Sequence, residues 1–259
     1  MCNPSTITQF CLPPYSHQSE VDDEGRKMAL AVAMLFMALL AAAQSQLYDP
    51  LYKELKSRDT KNTIPISSTG DTLNVTISLT LLKISSLNLR TGDAELDTWP
   101  SYEWFDNRLT WEPSEYGNVS LINLPPSDIW RPDIVPYRGH ADVEDVPAVL
   151  FNTGHIYYIP PTSMKVRCDV SKYTTDGTVT CSLKIGSWTF NGNIMDVQNK
   201  TSEIDVSEYY HDDQWDIIEH SMQRVVAHYS CCPEPYPSII ATMTLKAKRH
   251  GLLGWSLFH

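Results

Sequence analysis

From Thr72 onward the chain alternates. Leu73, Val75, Ile77, Leu79 and Leu81 are apolar, and Asn74, Thr76, Ser78 and Thr80 between them are polar. A period of two sends successive side chains to opposite faces of an extended backbone, so this run predicts a long strand with one buried face. Shorter runs follow. Val149–Phe151 and His155–Ile159 flank Asn152, Thr153 and Gly154 and predict a hairpin. Further strands are expected at Leu183–Ile185, Ser202–Val206, Val225–Tyr229 and Thr242–Lys246. Seventeen prolines, and no long segment of period 3.6, leave little room for helix. One short helix is expected near the start, with Asp49 as N-cap, Pro50 as first residue, and Leu51 and Leu55 on one face. The fold class is therefore all-β: a twisted, immunoglobulin-like β-sandwich in one domain, with a short N-terminal helix. The 259 residues, 42% of them hydrophobic, suffice for one large core.

The beginning of the chain has a different character. Arg26 and Lys27 precede a short apolar run from Met28, and small residues close it at Ala41 and Ala43. Basic flank, apolar core and Ala-x-Ala exit predict a signal peptide, and the run is short for a bilayer span. The mature chain is expected to start near Gln44 or Gln46. Residues 1–45 are thus read as extension and signal peptide, 46–250 as the folded domain, and 251–259 as an apolar tail too short to span a membrane. The expected localisation is secreted and extracellular. Asn-x-Ser/Thr sequons at Asn74, Asn118 and Asn199 are glycosylation candidates on that route.

The expected mature chain keeps Cys168, Cys181, Cys231 and Cys232. Two disulfides are implied, in any of three connectivities. Cys168 and Cys181 enclose twelve residues, and Cys231 and Cys232 are adjacent. Either the neighbours join each other, closing a tight ring that stiffens a loop tip, or each reaches a distant partner. Aromatic residues cluster in Trp130–Tyr137, in Trp188–Phe190 and in Tyr229–Tyr236. Any one ring is ordinary core material. A group of ring faces, however, attracts a cation at roughly 0.5–2 kcal/mol per contact and needs no carboxylate to do so. Acidic residues outnumber basic ones 31 to 20, for a net charge of -11, which disfavours nucleic acid as a partner and suits a cation. His140, His155, His211, His220 and His228 show no metal or catalytic-triad spacing, so neither an enzyme, a metal nor a cofactor is expected.

These segments resemble the extracellular ligand-binding domain of the pentameric Cys-loop receptors, nicotinic class, in order and register from about Leu47 to Lys248. Trp130-x-Pro-Asp with Tyr137 resembles the first binding loop. Gly186-Ser-Trp188-Thr resembles the second, and Tyr229-x-Cys-Cys-Pro-Glu-x-Tyr236 the third, a capping loop with a vicinal disulfide. Trp99-Pro-Ser-Tyr-Glu-Trp104, with Trp111 beyond it as a structural residue, resembles the Trp-bearing strand of the facing subunit. The hairpin through Tyr157 and Ile159 resembles its neighbour. The chain departs from channel subunits in its Cys168–Cys181 loop. That loop is one residue shorter and carries a hydrophilic tip, Lys172–Gly177, in place of an apolar one. The combination is similar to the soluble acetylcholine-binding proteins of invertebrates.

The resemblance implies Cys168–Cys181 and Cys231–Cys232 disulfides and a homopentamer without a membrane span. It implies small cationic ligands, acetylcholine and nicotine-like amines, at five subunit interfaces. The principal face would comprise Tyr137, Trp188, Tyr229, Cys231, Cys232 and Tyr236. The complementary face would comprise Trp99, Val149, Tyr157 and Ile159. Lys184 would pair with a capping-loop tyrosine, and Asp133 would orient the Trp188 loop. Three other readings stand beside this one: an adhesive immunoglobulin-like module, which would need a far longer Cys-to-Cys span; a structural pentamer without ligand; and the ligand-binding part of a truncated receptor subunit.

Overall fold

The structure, a computed structural model, describes residues 18–210 and 213–248. Expectations on His211 and the tail from Gly251 lie outside the described residues. The chain divides into two compact units, Met1–Asp49 and Pro50–His259. The first unit is helical where described and leaves Met28, Leu30, Met34, Leu35, Phe36 and Met37 exposed. Helix α1 runs Gln18–Ser57, so helical backbone begins well upstream of the expected start at Asp49. The reason is composition: the run from Met28 to Ala43 is mostly Ala, Leu and Met, the strongest helix formers. Among the described residues, no helix is long and apolar enough to cross a membrane.

In the second unit the end of α1 buries Leu51 and Leu55, as their spacing requires. Twelve strands follow: β1 (Leu73–Leu87), β2 (Asp93–Phe105), β3 (Leu121–Leu124), β4 (Ile134–Pro136), β5 (His140–Val143), β6 (Ala148–Phe151), β7 (His155–Tyr158), β8 (Thr162–Asp169), β9 (Thr178–Ser187), β10 (Met195–Asn199), β11 (Trp215–Tyr229) and β12 (Cys232–Ala247). A single helical turn, α2 (Tyr173–Asp176), lies between β8 and β9. One leaf is built on β1 and β2. β10 joins β1 in parallel, β8 and β7 join β2, and β6 and β3 extend the leaf beyond β7. The other leaf runs β11–β12–β9, with β4 on the far side of β9.

The two leaves meet where Cys168 of β8 pairs with Cys181 of β9, and a disulfide joins those residues. Leu79, Leu81, Leu96 and Val166 from one leaf face Leu183, Ala241 and Met243 from the other across the core. Strand β1 buries Leu73, Val75, Ile77, Leu79 and Leu81 in strict alternation. A register shift between Leu81 and Lys83 then moves the inward side to Ile84.

Two sequence expectations change. Strands β11 and β12 are 15 and 16 residues long, far beyond the runs Val225–Tyr229 and Thr242–Lys246. Polar residues such as Glu219, Gln223 and Arg224 sit exposed along β11, the strand at one end of the sheet order, and so hide its period. Ser202–Val206 is not a strand. Only Asp205 bridges to β1, through Leu81 N–H to Asp205 O (2.8 Å) and Asp205 N–H to Leu79 O (2.9 Å). Local bonds compete for the rest: Thr201 Oγ1 donates to Glu203 O, and Ser207 N–H donates to the Asp205 carboxylate.

One ion pair holds the entry to the sandwich. Asp106, 0% exposed, accepts Arg108 Nε and Nη2, both at 2.8 Å, and the Arg108 backbone N–H at 3.0 Å. Arg108 continues to Thr63 Oγ1 and to the Thr60 and Thr63 carbonyls, so it ties the segment after α1 to the end of β2. Gly154 in the β6–β7 turn packs against the same corner at φ 81°. A Cβ there would lie 2.5 Å from the Asp106 carbonyl, so only glycine fits. Arg108→Ala leaves a buried carboxylate without its counter-charge and should cost about 3–5 kcal/mol in urea unfolding. A loss below about 1 kcal/mol would contradict this role.

Candidate functional site

The short strand β4 pairs with the end of β9, Ile134 with Ser187 and Pro136 with Ile185. The next strand over, β12, pairs Ser238 with Gly186. Three segments far apart in sequence therefore converge at one end of one leaf. They are the segment ending in Tyr137, the Ser187–Phe190 loop, and the β11–β12 hairpin.

Asp133 fixes the middle segment. Its Oδ1 accepts the Ser187 hydroxyl (2.7 Å), and its Oδ2 accepts the Thr189 N–H (2.7 Å) and hydroxyl (2.6 Å). Its backbone carbonyl accepts the Trp188 N–H (3.2 Å), and Ser187 Oγ in turn accepts the Phe190 N–H (2.8 Å). Both neighbours of Trp188 are thus pinned by one carboxylate, while Trp188 itself is 72% exposed. Beneath it the Trp130 ring meets Trp104 edge-on at 6.2 Å and Phe190 at 6.4 Å, and Trp130 is only 7% exposed. Of the aromatic residues in these segments, Trp130 belongs to the core and Trp188 to the surface.

Tyr137 lies beside this loop. Its hydroxyl donates to Ser187 O (3.1 Å), and its backbone N–H donates to Lys184 O (2.9 Å). Burial pushes the phenol above the usual tyrosine range, with help from Tyr229 and Asp133, so it remains a neutral donor. The Tyr137 hydroxyl occupies space that sequence reading did not single out. A Cβ on Gly186 would lie 2.5 Å from that oxygen. Lys184, expected to pair with a capping-loop tyrosine, instead holds its ammonium 5.4 Å from the Tyr137 ring centroid. The capping hairpin closes with Tyr229 opposite Cys232, and Cys231 and Cys232 are bonded to each other at the turn. Tyr229 and Tyr236 meet edge-on with centroids 5.3 Å apart, and Gly192 N–H donates to Pro235 O (2.7 Å), linking hairpin to loop.

The remaining expected residues stand on the other leaf. Trp99 of β2 pairs with Thr80, Tyr157 of β7 pairs with both Glu103 and Val149, and Ile159 follows β7 directly. Trp99 is 40% exposed and lines an open depression with Asp97, Asp142 and Glu144. Sequence reading missed these carboxylates, and it missed Lys200, whose ammonium lies 5.5 Å from the Tyr157 ring centroid. The alternation along β2 could have indicated that Asp97, Trp99 and Glu103 share a face; nothing in the sequence places Lys200 there. Within one chain, then, the two expected sets sit on different leaves. Among the described residues no group of three or more His, Cys, Asp or Glu could hold a metal ion.

The chemistry available is recognition. The exposed ring faces suit a small cation, while the carboxylates stand beside Trp99 on the other leaf. Comparison with known proteins identifies the family. Residues 45–250 match the neurotransmitter-gated ion-channel ligand binding domain. Acetylcholine receptor subunit alpha-L1 of Schistocerca gregaria is 35% identical over 213 residues, covering 76% of this chain and 38% of its own length. Acetylcholine receptor subunit alpha-like 2 of Drosophila melanogaster is 34% identical over 234 residues, with 83% and 40% covered. Neuronal acetylcholine receptor subunit alpha-10 of Homo sapiens is 32% identical over 234 residues, with 86% and 52% covered. The chain thus spans about two fifths to one half of the length of these relatives. It belongs to the neurotransmitter-gated ion-channel ligand-binding domain family, a family of binding domains and not of enzymes.

Proposed function

We propose that this chain is a secreted binding protein for acetylcholine and related cationic amines, with the ligand held between two copies of the chain in a ring of five. One observation carries the reading: Trp188 presents a mostly exposed indole on a loop that Asp133 locks from both sides. An exposed indole on a loop already fixed by hydrogen bonds spares a ligand part of the cost of ordering that loop. On this reading the principal face is Trp188, Tyr137, Tyr229 and Tyr236, capped by Cys231–Cys232. Trp99, Val149, Tyr157 and Ile159 of a neighbouring copy close the cage. The two sets occupy different leaves, so a cage built from both takes two chains. The carboxylates beside Trp99 and the net charge of -11 draw a cation toward it.

The proposed layout is a leader up to residue 45, removed on secretion, the binding domain over 46–250, and a short tail. Asn74 and Asn118 are exposed and are the proposed glycan acceptors. The Asn199 amide already donates to Thr201 O and Met222 O and makes a poorer one. A second reading, the extracellular part of a channel subunit, is favoured by the relatives' names and by the share of their length that this chain spans. Against it stands the tip of the Cys168–Cys181 loop. Lys172, Thr174, Thr175 and Asp176 are exposed there, while Tyr173 packs on Trp215 of the same chain at 6.0 Å. Such a tip offers no apolar surface to a membrane-embedded partner.

Expression from the complete native transcript in secretory cells separates the two readings. Pentameric protein in the medium, by light scattering, is expected. Retention in the membrane fraction would favour the channel reading, and a monomer at micromolar concentration would overturn the interfacial site. For the site itself, Trp188→Ala should weaken acetylcholine binding at least ~100-fold while the oligomer survives, because a desolvated ring face is worth ~2 kcal/mol or more and water then weakens its neighbours. Gly186→Ala forces the Tyr137 hydroxyl aside and should cost ~10-fold in affinity through overpacking. Asp133→Ala frees the Ser187 and Thr189 donors and should cost ~10-fold or more. Isothermal titration of folded variants reads all three; wild-type affinity in Trp188→Ala would refute the cage.

A further inference from the structure

Beside Tyr157 lies a charged cluster outside the aromatic cage. The Lys200 ammonium, just past β10, donates to Glu103 Oε1. The other carboxylate oxygen, Oε2, lies 3.6 Å from His155 Nε2. The β2–β7 register sets Glu103 opposite Tyr157 and Phe105 opposite His155, so all four side chains share one face. Phe105, His155 and Phe151 stack in a row, at 4.8 Å and 5.6 Å between centroids, and wall one side of the cluster. The next charge along β10, Asp196, pairs with Arg224 of β11 at 2.6 Å. The Glu103 hydrogen bond raises Lys200 above the usual lysine range, so the ammonium stays charged. The cluster is also polarised: the carboxylate is 17% exposed, whereas the ammonium is 48% exposed and turned to the Tyr157 ring.

We propose that Lys200 is a specificity-determining residue of the ligand site, placed to reject a second cation and to receive a hydrogen-bond acceptor at the end of the ligand remote from its ammonium. The proposal rests on Tyr157 belonging to the complementary wall. A free tyrosine face beside the cage would be a second cation site. Here an intramolecular ammonium, tethered by Glu103, already covers that face. A ligand cation approaching it meets a like charge at close range. An oxygen or ring nitrogen meets a donor with protons to spare, since the ammonium has three and Glu103 takes one. The ligand class selected is therefore the monocation with an acceptor at its far end, in preference to the bis-quaternary amine.

The test is the ratio of affinities for hexamethonium, with two quaternary ends, and tetramethylammonium, with one, measured on the assembled full chain. In Lys200→Gln the ratio should shift ~5- to 10-fold toward hexamethonium. In Glu103→Gln, where the lysine charge loses its counter-ion, it should shift the other way. A gain in affinity cannot come from misfolding, and opposite signs in the two variants cannot come from a general loosening of the wall. If tetramethylammonium binds the wild type and is lost in Trp188→Ala, yet neither variant moves the ratio, the assignment to Lys200 is wrong while the cage stands. If tetramethylammonium does not bind the wild type at all, the cage reading fails and this inference fails with it.

Discussion

The Asp133 carboxylate sets the geometry on which the site depends. It spans the gap between β4 and the loop after β9, and it accepts three donors from Ser187 and Thr189. Hydrogen bonds to an ionised acceptor are roughly twice as strong as neutral ones, so the loop is held to one shape before any ligand arrives. Trp188, between the two bonded residues, stands 72% exposed. Trp130, three positions before Asp133, fills that core place against Trp104 and Phe190. The carboxylate separates two indoles, one packed in the core and one exposed on a loop whose neighbouring residues it holds by hydrogen bonds.

The sandwich supplies the remaining constraints. Because β9 lies between β4 and β12, any residue at its end is flanked by both neighbours, and Tyr137 and the capping hairpin arrive beside Trp188 through strand pairing alone. Gly186 is the cost of that crowding, since its missing side chain is the room in which the Tyr137 hydroxyl sits. The other leaf carries Trp99 and Tyr157 on the β2–β7 pair, with negative charge near the first and the Lys200 ammonium over the second. On the proposed function, each leaf offers part of a recognition surface.

Much of this was legible in the sequence because it follows from short-range rules. The alternation Leu73–Leu81 gave β1 its buried face, and Asn152–Gly154 its turn. The spacing of Leu51 and Leu55 placed both in the core. The cage segments were recognisable through motifs whose residues lie close together, and the role of Asp133 came with them. What was not legible depends on chain segments far apart. The length of β11 is hidden because its exposed residues carry no period. Ser202–Val206 alternates like a strand, but it finds one partner residue on β1 and satisfies its other groups locally. Lys200 and Glu103 are separated by 97 positions and meet only because β10 and β2 both pair with β1. The Gly186–Tyr137 contact likewise exists only once β4 is laid on β9.

On the proposed function, a cationic nitrogen rests on the Trp188 ring and is enclosed by a second copy of the chain. The most direct measurement is a crystal structure of the secreted protein with bound acetylcholine. The quaternary nitrogen is expected within ~6 Å of the Trp188 ring centroid, with Trp99 and Tyr157 of the adjacent copy completing the enclosure. Acetylcholine bound away from Trp188, or held by one chain alone, would contradict it.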